Sequence, residues 1–227
     1  MASPSIVGTP VTTYFSGAAT SFSQSITVPS TGQNQALIVV CGFLGSSTKA
    51  TALTFNTTGT MTRIVDLNAA TEFTGEMWYL AAPAQTTANI VTVNTLQTNF
   101  YMASFVLKDC VQTSGSVVDV SGQGTGGSGT TASKAVTTTA NGDFMVTWMG
   151  GNPSMTSFVA GGTQSIVGTP HTGTGGSAAV STDSQTTAGS YTGSFTWTGS
   201  SDFDIFVAGL KYLAPTSTAN SNFLAFM

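Results

Sequence analysis

Ala36-Leu37-Ile38-Val39-Val40-Cys41-Gly42-Phe43-Leu44 is the most apolar run in the chain, and Gly45-Ser46-Ser47 follows it at once. Nine residues are too few to cross a bilayer, which takes roughly 20. A short β-branched run closed by a turn signal reads as a strand, and the lack of any polar alternation reads as burial on both faces. This strand is expected at the centre of the fold, with the remaining strands paired beside it or laid over it.

Outward from that centre the same pattern recurs. Gly, Ser or Thr interrupts every window long enough for three helical turns, and β-branched residues dominate, which favours strands. Residues 7–14 and 21–28 are the expected opening strands, and 52–56 and 60–67 a hairpin around Thr57-Thr58-Gly59. Strands are expected again at 76–80, 90–94, 100–107 and 116–120, after which Gly122 to Gly129 should break regular structure. Asn141-Gly142-Asp143, between 135–139 and 144–149, is a strong hairpin signal. Residues 158–167, 178–183, 191–197 and 203–213 complete the set, the last apolar on both faces and expected close to 36–44 in space.

This many short strands between turns predicts an all-β protein, an antiparallel β-sandwich of jelly-roll-like type. Residues 1–213 are expected to form a single domain, with 122–133 as the candidate link should there be two similar halves. Ser5-Ile6-Val7-Gly8-Thr9-Pro10 recurs unchanged as Ser165-Ile166-Val167-Gly168-Thr169-Pro170. A repeat architecture would hold its period through the chain. Coincidence in a low-complexity sequence is therefore the favoured reading, and two equivalent strands the other. Residues 214–227 are a polar spacer with an apolar tip, and Phe223, Leu224, Phe226 and Met227 are candidate subunit contacts.

Only 6% of the 227 residues are charged, the net charge is −4, and hydrophobic residues make up 41%. The hydrophobic share suffices for a core, and the charged share is far below the roughly 25% of ordinary soluble domains. Lys49, Arg63, Lys108, Lys134 and Lys211 are scattered, whereas nucleic-acid binding needs cations gathered on one face. No nucleic-acid or membrane partner is expected. The N-terminal residues carry neither the charged nor the apolar region of a signal peptide. Cys41 and Cys110 lie in apolar strands and read as small buried thiols.

Each candidate for chemistry has a plainer alternative. Gly122-Gln123-Gly124-Thr125-Gly126-Gly127 satisfies G-x-G-x-x-G, but a dinucleotide site needs a helix next, and another strand follows. A flexible loop is expected there, and no cofactor. His171 is the only histidine, with no G-x-S-x-G elbow anywhere to suggest a triad. Glu72 with Glu76, and Asp202 with Asp204, are the candidate carboxylate pairs for glycoside hydrolysis, and Asp202 with Asp204 could instead hold calcium. Solvated strand ends are the simpler reading, and no catalytic or metal site is assigned. Trp78, Trp148 and Trp197 could stack on a glycan, although aromatic residues on strands more often fill cores.

The order Leu37-Ile38-Val39-Val40, then Glu76-Met77-Trp78-Tyr79-Leu80 with Pro83, Ile90-Val91-Thr92-Val93, and later Gly142-Asp143-Phe144-Met145-Val146 resembles β-sandwich virion proteins of tailed bacteriophages. The resemblance spans most of residues 5–213 and implies a capsid decoration (cement) or head-fibre protein, assembled in the host cytoplasm and carried on the virion. It implies contacts with the major capsid protein or other virion proteins, self-association (a trimer favoured) and no catalytic residues. The alternative it leaves open is a receptor- or glycan-binding module of a tail or head fibre. A chain with so few charges has unguarded strand edges, which must be closed, covered or used.

Overall fold

The computed structural model describes residues 3–44, 48–67 and 73–213. The first strands are β1 (Ser5–Phe15), β2 (Ser23–Thr27), β3 (Ala36–Phe43), β4 (Ala52–Phe55) and β5 (Gly59–Thr60). Then come β6 (Thr62–Leu67), β7 (Gly75–Ala81), β8 (Thr87–Val93) and β9 (Phe100–Lys108). β3 is the middle strand of an antiparallel sheet in the order β1-β9-β3-β7-β6, and all of it is buried. Its side chains divide between two cores. Ala36, Ile38 and Val40 enter one, and Leu37, Val39, Cys41 and Phe43 the other. A strand covered on both sides gains from apolar side chains at every position, which is why this run is continuously apolar.

The second of those cores is closed by the sheet β2-β8-β4-β5, which contributes Ile26, Leu53, Phe55 and Ile90. β5 pairs with β4 in this sheet, whereas β6, one residue later, pairs with β7 in the other. The chain thus changes sheets at Met61, whose side chain is buried in the core between them.

A single turn of helix, α1 (Ser114–Val117), leads into β10 (Val118–Thr138), β11 (Asp143–Gly151), β12 (Thr156–Ala160), β13 (Ser165–Ile166), β14 (Ser177–Gln185) and β15 (Gly189–Leu210). They form the sheet β10-β15-β11-β14-β13, with β12 on β15. β10 and β15 make one long ribbon, with register shifts around Gly126, Gly129 and Thr131. Beyond the shifts the ribbon doubles back over its own sheet. A Cβ on Gly193 would sit 2.3 Å from Thr147 Oγ1, and one on Gly122 2.8 Å from Val136 Cγ1. The space under the doubled ribbon is filled by Met149, Phe158, Phe195, Trp197 and Ile205, and beside them by Val136, Met145, Tyr191 and Val207.

The two strand orders correspond place by place. Substituting β10, β15, β11, β14 and β13 for β1, β9, β3, β7 and β6 reproduces the first sheet, with chain order kept. The outer layers match too: residues 131–138 stand for β2, 189–198 for β8 and β12 for β4. In each half the first strand pairs with the last and the second with the last but one, the nested order of a jelly roll. The halves lie back to back through their larger sheets, with Ile38, Tyr79, Tyr101 and Phe105 facing Phe144, Val146, Trp148 and Phe206. The indole of Trp148 lies in a bed of glycine, since a Cβ on Gly75 or Gly150 would come within 2.6 Å of it. Edges match as well: Thr169 N, just past β13, donates to Thr12 Oγ1 on β1.

Several expectations are corrected. The 122–129 glycines lie inside β10 rather than in a loop, because alternate glycines leave room for the ribbon folded over them. The chain passes between the halves through residues 109–117, not 122–133. Asn141-Gly142 does make a turn, with Gly142 at φ +84°, but the strands flanking it are not paired. Residues 135–138 pair with 189–192 in the outer layer and 144–149 with 205–210 in the larger sheet, and Asn141 Oδ1 instead accepts a hydrogen bond from Ala188 N. The separate strands expected at 191–197 and 203–213 are one, and 158–167 is two. The identical hexapeptides occupy different places, the first strand of one half and the equivalent of β6 in the other. Both nevertheless place their glycine in the left-handed region, Gly8 at φ +74° and Gly168 at +61°. Phe223, Leu224, Phe226 and Met227 lie outside the described residues.

Candidate functional site

Alternation along the outer strands places apolar side chains inward and the remainder on two broad outer faces. On the first half the exposed set is Ser23, Ser25 and Thr27 of β2, with Thr87, Asn89 and Val93 of β8. On the second half it is Thr131, Ser133, Ala135 and Thr137 of β10, with Ser190, Thr192, Thr196 and Thr198 of β15. Val159 on β12 adds a side chain that is 60% exposed. None of these residues carries a charge. The hydroxyls face one another across the strands: Thr27 and Thr87 are 2.7 Å apart at Oγ1, and Thr131 stands opposite Thr196. Such faces offer methyl and hydroxyl groups at the regular spacing of a pleated sheet.

Ionisable groups are drawn away from these faces. Glu76 is fully buried on β7, where Oε1 accepts from Arg63 Nη1 at 2.7 Å and Oε2 from Ala50 N at 3.1 Å. Burial pushes its carboxyl above the usual range, against the pull of Arg63. Lys49 Nζ lies 2.5 Å from Asp66, which also neighbours Arg63 at 3.7 Å. Two cations meet two anions, with the Arg63 guanidinium 5.4 Å above the Trp78 ring. Both Glu76 oxygens are engaged in fastening the chain before β4 to the edge of the sheet, so this carboxylate is occupied structurally. Glu72, its expected partner, lies outside the described residues.

The second expected pair is separated by environment. Asp202 is exposed and accepts from Ser128 N at 2.8 Å, which holds the ribbon's corner. Asp204 is buried, opposite Gly150 and Thr125. Among the described residues no three His, Cys, Asp or Glu side chains gather at one point.

His171 packs its ring on Tyr14, centroids 3.4 Å apart and planes 11° from parallel. The Tyr14 hydroxyl reaches Asn99 Oδ1 at 2.7 Å and the Thr174 carbonyl at 2.9 Å. These contacts tie the 167–176 connection of the second half to β1 and β9 of the first. Burial lowers the His171 pKa, partly offset by the Thr174 backbone. Its buried Nε2 has no hydrogen-bond partner among the described residues. Base catalysis needs the imidazole aligned by one group and aimed at another. Here the ring acts as a packing surface between the halves.

The indoles expected as a glycan platform are not brought together. Trp148 is buried between the halves, Trp78 in the core of the first half and Trp197 in that of the second, none more than 6% exposed. Trp148 stacks on Phe206 and Trp197 meets Phe203 edge-on, as core aromatics do. Cys41 and Cys110 are free and buried, and burial raises both thiols, Cys110 to about 12.

What sequence reasoning missed is the pair of outer faces. Their signal was present as alternation, in Thr192-Gly193-Ser194-Phe195-Thr196-Trp197-Thr198 above all, where every second residue is a hydroxyl. No helix among the described residues is long and apolar enough to cross a membrane. Comparison with known proteins finds no matching family model, no matching curated protein and no matching solved structure.

Proposed function

We propose that this protein is a structural component of a virus particle, a decoration protein that bridges neighbouring capsid subunits. The observation that carries this reading is the pair of broad, uncharged outer faces. A face of Ser, Thr and small apolar groups is weakly hydrated compared with a charged one. It can be covered by another protein without stranding a buried charge, which would cost several kcal/mol per ion. Natural sheets that must stay solitary carry charge at exposed positions, and the exposed positions of these two faces carry none. Eight-stranded jelly rolls recur in viral capsid and lectin domains, which favours this reading as an analogy of fold alone. The sequence resemblance to phage virion proteins points the same way. Partner surfaces of matching chemistry would be uncharged strands of the major capsid protein or of sister copies.

Quantitative mass spectrometry of purified particles tests the proposal. A decoration role requires copies in proportion to the capsid subunits. A stoichiometry of one or two copies per particle, or none, rejects it.

A further inference from the structure

Asp143 opens β11 and is completely buried, and among the described residues no N–H or hydroxyl donor reaches its carboxylate oxygens; its side-chain hydrogen-bond neighbour is a second carboxyl group, that of Asp119. An ionised carboxylate in that position would be very costly. Its charged neighbours explain how it is tolerated. From β10 comes Asp119, and from just past the end of β15 comes Lys211. Across the sheet on β14 it faces Gln185, which is uncharged. Asp119 is itself well supplied with donors: Thr139 N and Thr139 Oγ1 lie 2.5 Å from its oxygens and Ala140 N 3.2 Å away. Those donors outweigh burial and hold Asp119 below the usual carboxylate range. Two adjacent acids in such different settings divide one proton unequally, Asp119 remaining ionised and Asp143 keeping the proton.

We propose that the Asp119–Asp143 pair is a proton-dependent latch of the second half, closed while the pair holds one proton and loosened when it holds none. The pair joins the first strand of that half to the turn before its central strand. Lys211 N donates to the Val117 carbonyl, so the latch also adjoins the passage between the halves. Burial, and then the Asp119 carboxylate, push Asp143 up to about 7. The unfolded value is near 3.9. Between those values the folded chain binds a proton that the unfolded chain does not, so stability falls as the pH rises and levels off above about 7. Among the described residues the first half has no such carboxyl pair at the matching place. There Gln35 precedes the central strand, and its Nε2 donates to the carbonyls of Pro29 and Thr31.

Denaturant unfolding of the full chain from about pH 5 to about pH 8, beside Asp143→Asn, tests the latch. Glu76 and His171 titrate alike in both proteins, so the ratio of their folding constants isolates Asp143. That ratio, wild type over variant, should fall about tenfold per pH unit up to about 7 and stay level beyond. A constant ratio overturns the proposal. Should the variant not fold, carbon-detected NMR of wild-type Asp143 decides: a titration midpoint near 7 supports the latch, and one below about 5 overturns it. Calcium chloride added above pH 7 provides a further arm. An unchanged wild-type midpoint supports a proton latch, and a rise that Asp143→Asn abolishes overturns it in favour of a cation site.

Discussion

The two halves share one topology and fill it with different chemistry. In the first half the corner between layers interrupts the chain, so β1 and β2 are separate strands, as are β8 and β9. In the second half the chain runs through the same corner as β10 and β15, because Gly126, Gly127 and Gly129 allow the bulges there and Asp202 caps the bend. The first half spends four charges on fastening its sheet edge at Glu76, where the second has Ala179 at the equivalent register. The second half instead buries Asp143 where the first has Gln35. Strand order is thus shared while these polar contacts differ. Nested pairing and alternating burial determine the jelly roll, and particular polar contacts only stabilise one version of it.

Substitutions that strike the shared core and the private features differently would sharpen that contrast. The largest effect is expected from Trp148→Ala, which empties the space between the halves and should lower stability by about 3–5 kcal/mol in urea unfolding. A loss below about 1 kcal/mol would mean that the halves do not depend on their common core. Glu76→Ala removes the buried acceptor of Arg63. Because Arg63 is 36% exposed and can turn to water, the loss should sit near the lower end of the range for broken buried pairs, about 3 kcal/mol. Gly122→Val places a side chain against Val136 under the folded ribbon and should cost about 1–3 kcal/mol. If it were neutral, the doubling of the ribbon would be in doubt. Thr196→Lys, on the outer face, should leave stability within about 0.5 kcal/mol and reduce binding to the particle. Co-sedimentation with the particle measures that second effect.

How much of this was legible depends on which force was decisive. The run from Ala36 is buried on both faces, as its composition says, because hydrophobic burial is written directly into residue type. Indole burial was legible for the same reason. The Gly122–Gly129 stretch was not, since glycine signals a turn locally and here serves a distant part of its own strand. Asn141-Gly142 marks a turn correctly, but only topology decides whether the flanking strands pair, and β15 comes from 50 or so residues later. The likeness of the halves is hard to read because so few residues coincide at matched places. Gly42 with Gly150, Phe100 with Phe203, and Leu107-Lys108 with Leu210-Lys211 are identical at matched register. The conspicuous hexapeptide repeat pointed elsewhere. The latch was invisible for a different reason: Asp119 and Asp143 are distant in sequence, and nothing in either local stretch announces burial.

If the protein decorates a particle, its uncharged outer faces should be covered there. A cryo-EM reconstruction of the assembled particle, at a resolution that traces this chain, tests it most directly. Capsid or sister subunits should be packed against the strands carrying Thr27 and Thr87, or against those carrying Thr131 and Thr196. Finding both faces open to solvent, with the chain held by some other surface, would contradict it.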